Sequence, residues 1–203
     1  MLKKLLTWTG IALGSLLGLL ILFYAMAYFQ TQARIKKVYE VNVQPLAIPD
    51  DPNSYAMGKH IAEVRGCTGC HGSDLAGGRA FSDSTSPLGT LYASNITHGI
   101  GGIEYTSQDW VRALRHGLDK NYRSLWFMPS HEVYHISNNE MAALIHFLQQ
   151  QPPVDRVIPA KSLKPLGNVL TYLGQYPLLT AEKINHEAVI PKEAPSFTVN
   201  ANY

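Results

Sequence analysis

A chain of 203 residues has room for one compact domain with appendages. Its formal net charge of +2 is too small to argue for nucleic acid. No basic stripe interleaves with aromatics, and no glycine-rich phosphate loop follows a strand pattern, so nucleic-acid and nucleotide binding are set aside.

Leu5 to Ala33 holds no charged residue, and Gly10 to Phe29 is almost wholly apolar. At about 1.5 Å rise per residue, that stretch matches a hydrocarbon core of about 30 Å. Trp8 stands near one end and Tyr24, Tyr28 and Phe29 near the other, as interfacial aromatics do. A cleaved signal peptide is the competing reading, with Lys3 and Lys4 as its basic start and Ala25-Met26-Ala27 as a cleavage site. The apolar run is too long for that, so residues 1–33 are expected to be a retained transmembrane signal anchor that contacts lipid over residues 5–29. Charge does not orient it, because Lys3 and Lys4 on one flank face Arg34, Lys36 and Lys37 on the other.

Residues 34–53, with Pro45, Pro49 and Pro52, are expected to be a stalk. Tyr55, Met57, Ile61, Ala62 and Val64 then fit an amphipathic helix stopping at Gly66. Residues 72–105, rich in Gly, Ser, Thr and Asn, are expected to be loop. Thr106 with Asp109 is a capping box for a second helix through Trp110, Val111 and Leu114, which Gly117 ends. Ser137 with Glu140 starts a third helix, which Pro152-Pro153 stops. Residues 154–203 show no strong period and are expected to drape over the domain with little regular structure.

Cys67-Thr68-Gly69-Cys70-His71 contains both cysteines of the chain. Two thiols at this spacing can add across the two vinyl groups of a haem, and the adjacent imidazole can bind its iron. A redox disulfide usually follows a strand at a helix start, and no βαβ pattern is present. A structural zinc needs four ligands, and no second cysteine pair exists. A plain disulfide across two residues would close a tight, strained ring. One covalently held haem c is therefore expected, on Cys67, Cys70 and His71.

Iron then needs a sixth ligand or an open face. Met1 and Met26 belong to the anchor, and Met57 and Met141 suit core positions on helices. Met128 lies between two predicted helices and precedes Pro129, which stiffens the backbone, so Met128 is expected to be the second axial ligand. His98, His116, His131 and His135 are the alternatives. His131-Glu132-Val133-Tyr134-His135 also matches a zinc-protease pattern, which requires one continuous helix. Pro129 before it and the Ser137 cap after it leave room for one turn at most. Tyr134 is expected to pack against the haem edge instead.

The helix leading into the haem motif, the loop-rich middle, Met128-Pro129 and the final helix together resemble a class I c-type cytochrome over roughly Ser54 to Pro153. Gly89-Thr90-Leu91-Tyr92-Ala93-Ser94-Asn95-Ile96-Thr97, Gly101-Gly102, Trp110 to Gly117 and Met128-Pro129 resemble one haem domain of the multihaem cytochrome c subunits of membrane-bound alcohol and sugar-acid dehydrogenases. Those subunits carry two or three haem motifs, and this chain has one. The tail from Ile190-Pro191 to Tyr203 echoes Ile48-Pro49 to Tyr55, and stops where a second haem unit would begin.

The resemblance implies an all-α, cytochrome c-like haem domain at residues 54–153 behind one transmembrane helix. It further implies that the Pro87 carbonyl orients His71, that Asn95 and Arg115 hold a haem propionate, and that Trp126 walls the haem. It places the haem domain on the periplasmic side of a bacterial inner membrane. The expected role is one-electron transfer between a quinol-oxidising complex or dehydrogenase and a terminal oxidase or soluble carrier such as a cytochrome or cupredoxin, with no reaction catalysed. The alternatives are a haem-carrying structural subunit of a larger respiratory or dehydrogenase complex, and a haem enzyme or gas sensor. An uncovered face on Leu163, Leu166, Val169, Leu170, Leu173 and Leu178 would favour the complex.

Overall fold

The computed structural model describes residues 1–194; residues 195–203, including the end of the tail and of its echo of residues 48–55, lie outside the described residues. Helix α1, Leu2–Lys36, is continuous over 35 residues, one turn beyond the expected anchor. It is long and apolar enough to cross a membrane, and nearly all of its apolar stretch is left uncovered by the rest of the chain. A helix of that length spans roughly 50 Å, so its basic end, with Arg34 and Lys36, extends past a hydrocarbon core of about 30 Å.

The segment expected to be a stalk is a strap across the domain. Tyr39 and Val43 are buried, and Val41, Leu46 and Ile48 pack on the core. The Tyr39 amide donates to the Tyr122 carbonyl at 2.9 Å. Tyr39, Val41 and Val43 alternate along the chain, which sends three apolar side chains to one side of an extended segment.

Helix α2, Pro52–Val64, begins where the Asp51 carboxylate accepts from the amides of Asn53 and Ser54 at 3.0 and 2.9 Å. The single turn α3, Cys67–His71, follows. Helices α4, Ser107–His116, and α6, Asn138–Gln149, both carry complete capping boxes, and Gly117 ends α4 in the left-handed region. Between them lies α5, Ser130–Val133.

The core centres on α2 crossing α6, with Ile61 and Ala62 against Met141, Leu144, Ile145 and Leu148, and with Trp110, Val111 and Leu114 of α4 closing it. Gly58 makes the crossing possible: a Cβ there would lie 2.0 Å from the Ala143 carbonyl oxygen. Met141 is fully buried as expected of a core residue, whereas Met57 is 40% exposed on the outer face of α2.

Short strands interrupt the region expected to be loop. Strands β1, Ala80–Ser82, and β2, Gly89–Tyr92, are antiparallel, and β3, Ser162–Leu163, adds to β2 from the tail. Past β3 the tail forms helix α7, Pro165–Tyr172, and a 3-10 turn, Thr180–Lys183, so it carries more regular structure than its sequence announced.

Candidate haem site

Gly66 adopts φ 73°, breaking the backbone between α2 and α3 and starting a new turn at Cys67. Cys67 and Cys70 fall three positions apart on that turn, and three- and four-residue spacings share a helix face with His71. Both thiols are free and half-buried. Burial pushes the Cys67 thiol pKa up, so it stays protonated at neutral pH.

His71 is 8% exposed, with Nδ1 2.8 Å from the Ser94 carbonyl oxygen. A carbonyl only accepts, so Nδ1 carries the proton and Nε2 keeps its lone pair. Burial pulls the His71 pKa down against the opposing effect of the Ser94 carbonyl, which preserves the neutral imidazole a metal requires. The chain reaches Ser94 through a tight return at Gly77. Its amide donates to the His71 carbonyl at 2.7 Å, and a Cβ there would meet the Ser94 carbonyl oxygen at 2.3 Å.

Cys67, Cys70 and His71 line a cleft of about 350 Å³, and Met128 lines the same cleft. Its walls are largely apolar, with Leu91, Ile96, Trp110, Leu114, Leu125 and Leu148 among them. The segment bearing Met128 is held from the tail. The Phe127 amide donates to the Leu178 carbonyl at 2.7 Å, the Thr180 hydroxyl donates to the Met128 carbonyl at 2.6 Å, and Trp126 bridges to Leu179. Phe127 has φ 59°, a left-handed conformation that these tail contacts support. Trp126 lines the cleft with Lys161 Nζ 4.7 Å from its ring centroid. Burial pulls the Lys161 pKa down, with Asp119 opposing.

Of four expected haem contacts, three lie off the cleft, and Asn95 lines it with its amide turned to the tail. Pro87 is exposed in the connection between β1 and β2 and does not line the cleft; the acceptor for His71 is Ser94. Asn95 lines the cleft, but its amide donates to the Val154 carbonyl at 2.8 Å while its oxygen accepts from the amide and hydroxyl of Thr97. Its donors are committed to the tail. Arg115 is buried outside the cleft and donates to the carbonyls of Tyr134, Ile136 and Ser137 and to Asn138 Oδ1. Tyr134 also lies off the cleft, its ring edge-on to His135.

None of the alternative histidines lines the cleft. His98 is exposed, and His116 Nδ1 lies 3.1 Å from His186 Nδ1. His131 lies in α5 and His135 beyond its end, so the zinc-protease pattern has no continuous helix to stand on.

Sequence reasoning missed Ser94, Lys161 and the tail residues that hold Met128. The first acts through a main-chain carbonyl, which leaves no side-chain signature. The others approach from more than thirty positions away along the chain, where no local pattern reaches.

The donor set fits a covalently held haem. Two free thiols stand one turn apart, an imidazole keeps Nε2 unused, a thioether faces the same cleft, and the walls are apolar.

Residues 55–152 match the family model of cytochrome c. The chain is 35% identical over 99 residues to the cytochrome c subunit of alcohol dehydrogenase (quinone) from Gluconobacter oxydans, covering 44% of this chain and 20% of that one. It is 33% identical over 120 residues to the gluconate 2-dehydrogenase cytochrome c subunit of Pantoea cypripedii, covering 53% and 26%. A diheme cytochrome c-type protein of Cereibacter sphaeroides is 31% identical over 151 residues, covering 65% and 50%. The chain thus spans half or less of the length of these relatives.

Proposed function

Because residues 55–152 are a cytochrome c domain, we propose that this protein is a membrane-anchored, single-haem electron carrier. The observation that carries the proposal is the convergence of Cys67, Cys70, His71 and Met128 on one apolar cleft. Haem, when bound there, supplies a one-electron couple. The Cys67 and Cys70 thiols hold it through thioethers, so it is never lost to solution. His71 Nε2 and Met128 Sδ would hold its iron, and with both engaged the protein would have no substrate position to offer. The thioether raises the potential relative to a second imidazole. Lys161 supplies a cation for a haem carboxylate.

Helix α1 anchors the domain by its apolar length. The haem domain stands on the periplasmic side of a bacterial inner membrane, a placement that rests on where covalent haem is attached in such proteins. Its partners are redox proteins: a dehydrogenase or quinol-oxidising complex as donor, and a terminal oxidase or soluble carrier as acceptor. The names of the relatives, cytochrome subunits of dehydrogenases, support a donor of that kind and a second reading as a fixed subunit of such a complex. Purification from membranes with partners attached separates the two.

The experiment that tests the site is denaturing extraction. The unfolded protein should keep its porphyrin through acid and acetone, and Cys67→Ala with Cys70→Ala should lose it. Pigment extracted from the wild-type chain would contradict thioether attachment.

A further inference from the structure

From Pro165 to Ala181 the tail contains no charged residue. Helix α7 lies within that stretch and packs along α1. Midway along α7, the Thr31 hydroxyl donates to the Asn168 carbonyl and the Gln32 amide to Asn168 Oδ1, both at 3.0 Å. At its end, the Tyr172 hydroxyl lies 4.0 Å from Met26 Sδ, and the Tyr172 ring meets Phe23 edge-on with centroids 6.1 Å apart. Helix α7 therefore lies against α1, covering Ala27 and Thr31 completely.

Depth follows from this register. Phe23 and Met26 belong to the apolar stretch Gly10–Phe29. Phe23 stands six positions inside its outer edge, which is about 9 Å along a helix. The charged groups gather around Arg34, which pairs with Glu182 at 2.6 Å and also donates to the Thr171 carbonyl at 2.9 Å, and Lys36 and Lys37 follow it in the chain. Leu173, at the tip just past Tyr172, is 49% exposed, and Leu166 is 43% exposed. The Tyr172 side chain thus reaches a part of α1 that lies among acyl chains, and Leu173 next to it is bare and apolar. Depth favours lipid over a soluble partner, which would not reach below the headgroups.

We propose that the α7 tip is a second membrane contact, with Leu173 inserted among the lipid acyl chains beside α1. The proposal rests on the reading of α1 as membrane-spanning. Its consequence is orientation: a domain held at two points cannot swivel about one helix. The same turn reaches the cleft, since the Tyr176 ring lies 5.9 Å from that of Phe127, the neighbour of Met128. The wall bearing Met128 is thereby held close to the bilayer surface, where a membrane-embedded redox partner approaches it.

The test uses the full-length haem protein in phosphatidylcholine vesicles, with or without bromine on the acyl chains. An environment-sensitive fluorophore is placed on one new thiol at a time, in Ile21→Cys, Leu173→Cys and Val189→Cys. All three positions are exposed, so each variant should fold, and the unsubstituted chain shows whether Cys67 or Cys70 takes label. Brominated lipid should quench the probes at 21 and 173 and leave the probe at 189 unchanged. Quenching at 21 with none at 173 would overturn the α7 contact while the anchor stands. No quenching at 21 would overturn the anchor, and the α7 contact with it.

Discussion

Lys161, not Arg115, is the cation that lines the cleft. Arg115 sits in the last turn of α4, and the resemblance to cytochrome c subunits implies a propionate as its partner. It is buried against four acceptors instead, and burial pulls its pKa down to about 10. A guanidinium tied to three main-chain carbonyls is a fastener of the turn leading into α6. Lys161 carries no comparable sequence signal, yet it lines the cleft above Trp126. A cation there favours the reduced state, which carries less positive charge. Lys161→Gln should therefore lower the reduction potential by on the order of tens of millivolts in a redox titration. An unchanged potential would leave Lys161 as a packing residue on Trp126. The cysteines and His71 were legible because covalent attachment demands fixed residue types at fixed spacing. Ser94 was not, because any residue can present a carbonyl.

Helices with their own start signals were readable one by one. Thr106 with Asp109 and Ser137 with Glu140 form reciprocal hydrogen bonds within four residues, so the sequence window holds the whole determinant. Strands β1, β2 and β3 are two to four residues long, and β3 comes from the far tail, so no local alternation could reveal them. Helix α7 starts on Pro165 without a side-chain cap and owes its place to α1. The crossing of α2 over α6 makes a direct prediction at this scale. Gly58→Ala forces a methyl against the Ala143 carbonyl, and the helices must separate. The expected cost is about 3 kcal/mol, above the gain in helix propensity of about 1 kcal/mol, read as a lower midpoint in chemical denaturation. Unchanged stability would mean that the crossing has slack the structure does not show.

The molecule as a whole is a cleft assembled from three distant parts of one chain. The segment 67–71 brings the thiols and His71, the segment 125–129 brings Met128, and the tail fastens Met128 through Leu178 and Thr180. The same tail lies along α1, so the anchor and the wall of the cleft share one support. The strap of residues 39–48 adds a further tie, with Tyr39 and Val43 buried where a free stalk was expected. Such fastening would suit the proposed carrier, because holding His71 and Met128 in place would limit the rearrangement that accompanies electron transfer. Met128 as the sixth ligand of the proposed haem is what separates a carrier from a haem enzyme or gas sensor. Carbon monoxide binding to the reduced protein tests it most directly. The wild-type spectrum should not change on exposure to carbon monoxide, and Met128→Ala should bind the gas and shift its spectrum. Rapid binding by the wild-type protein, or identical behaviour of the two, would contradict the account.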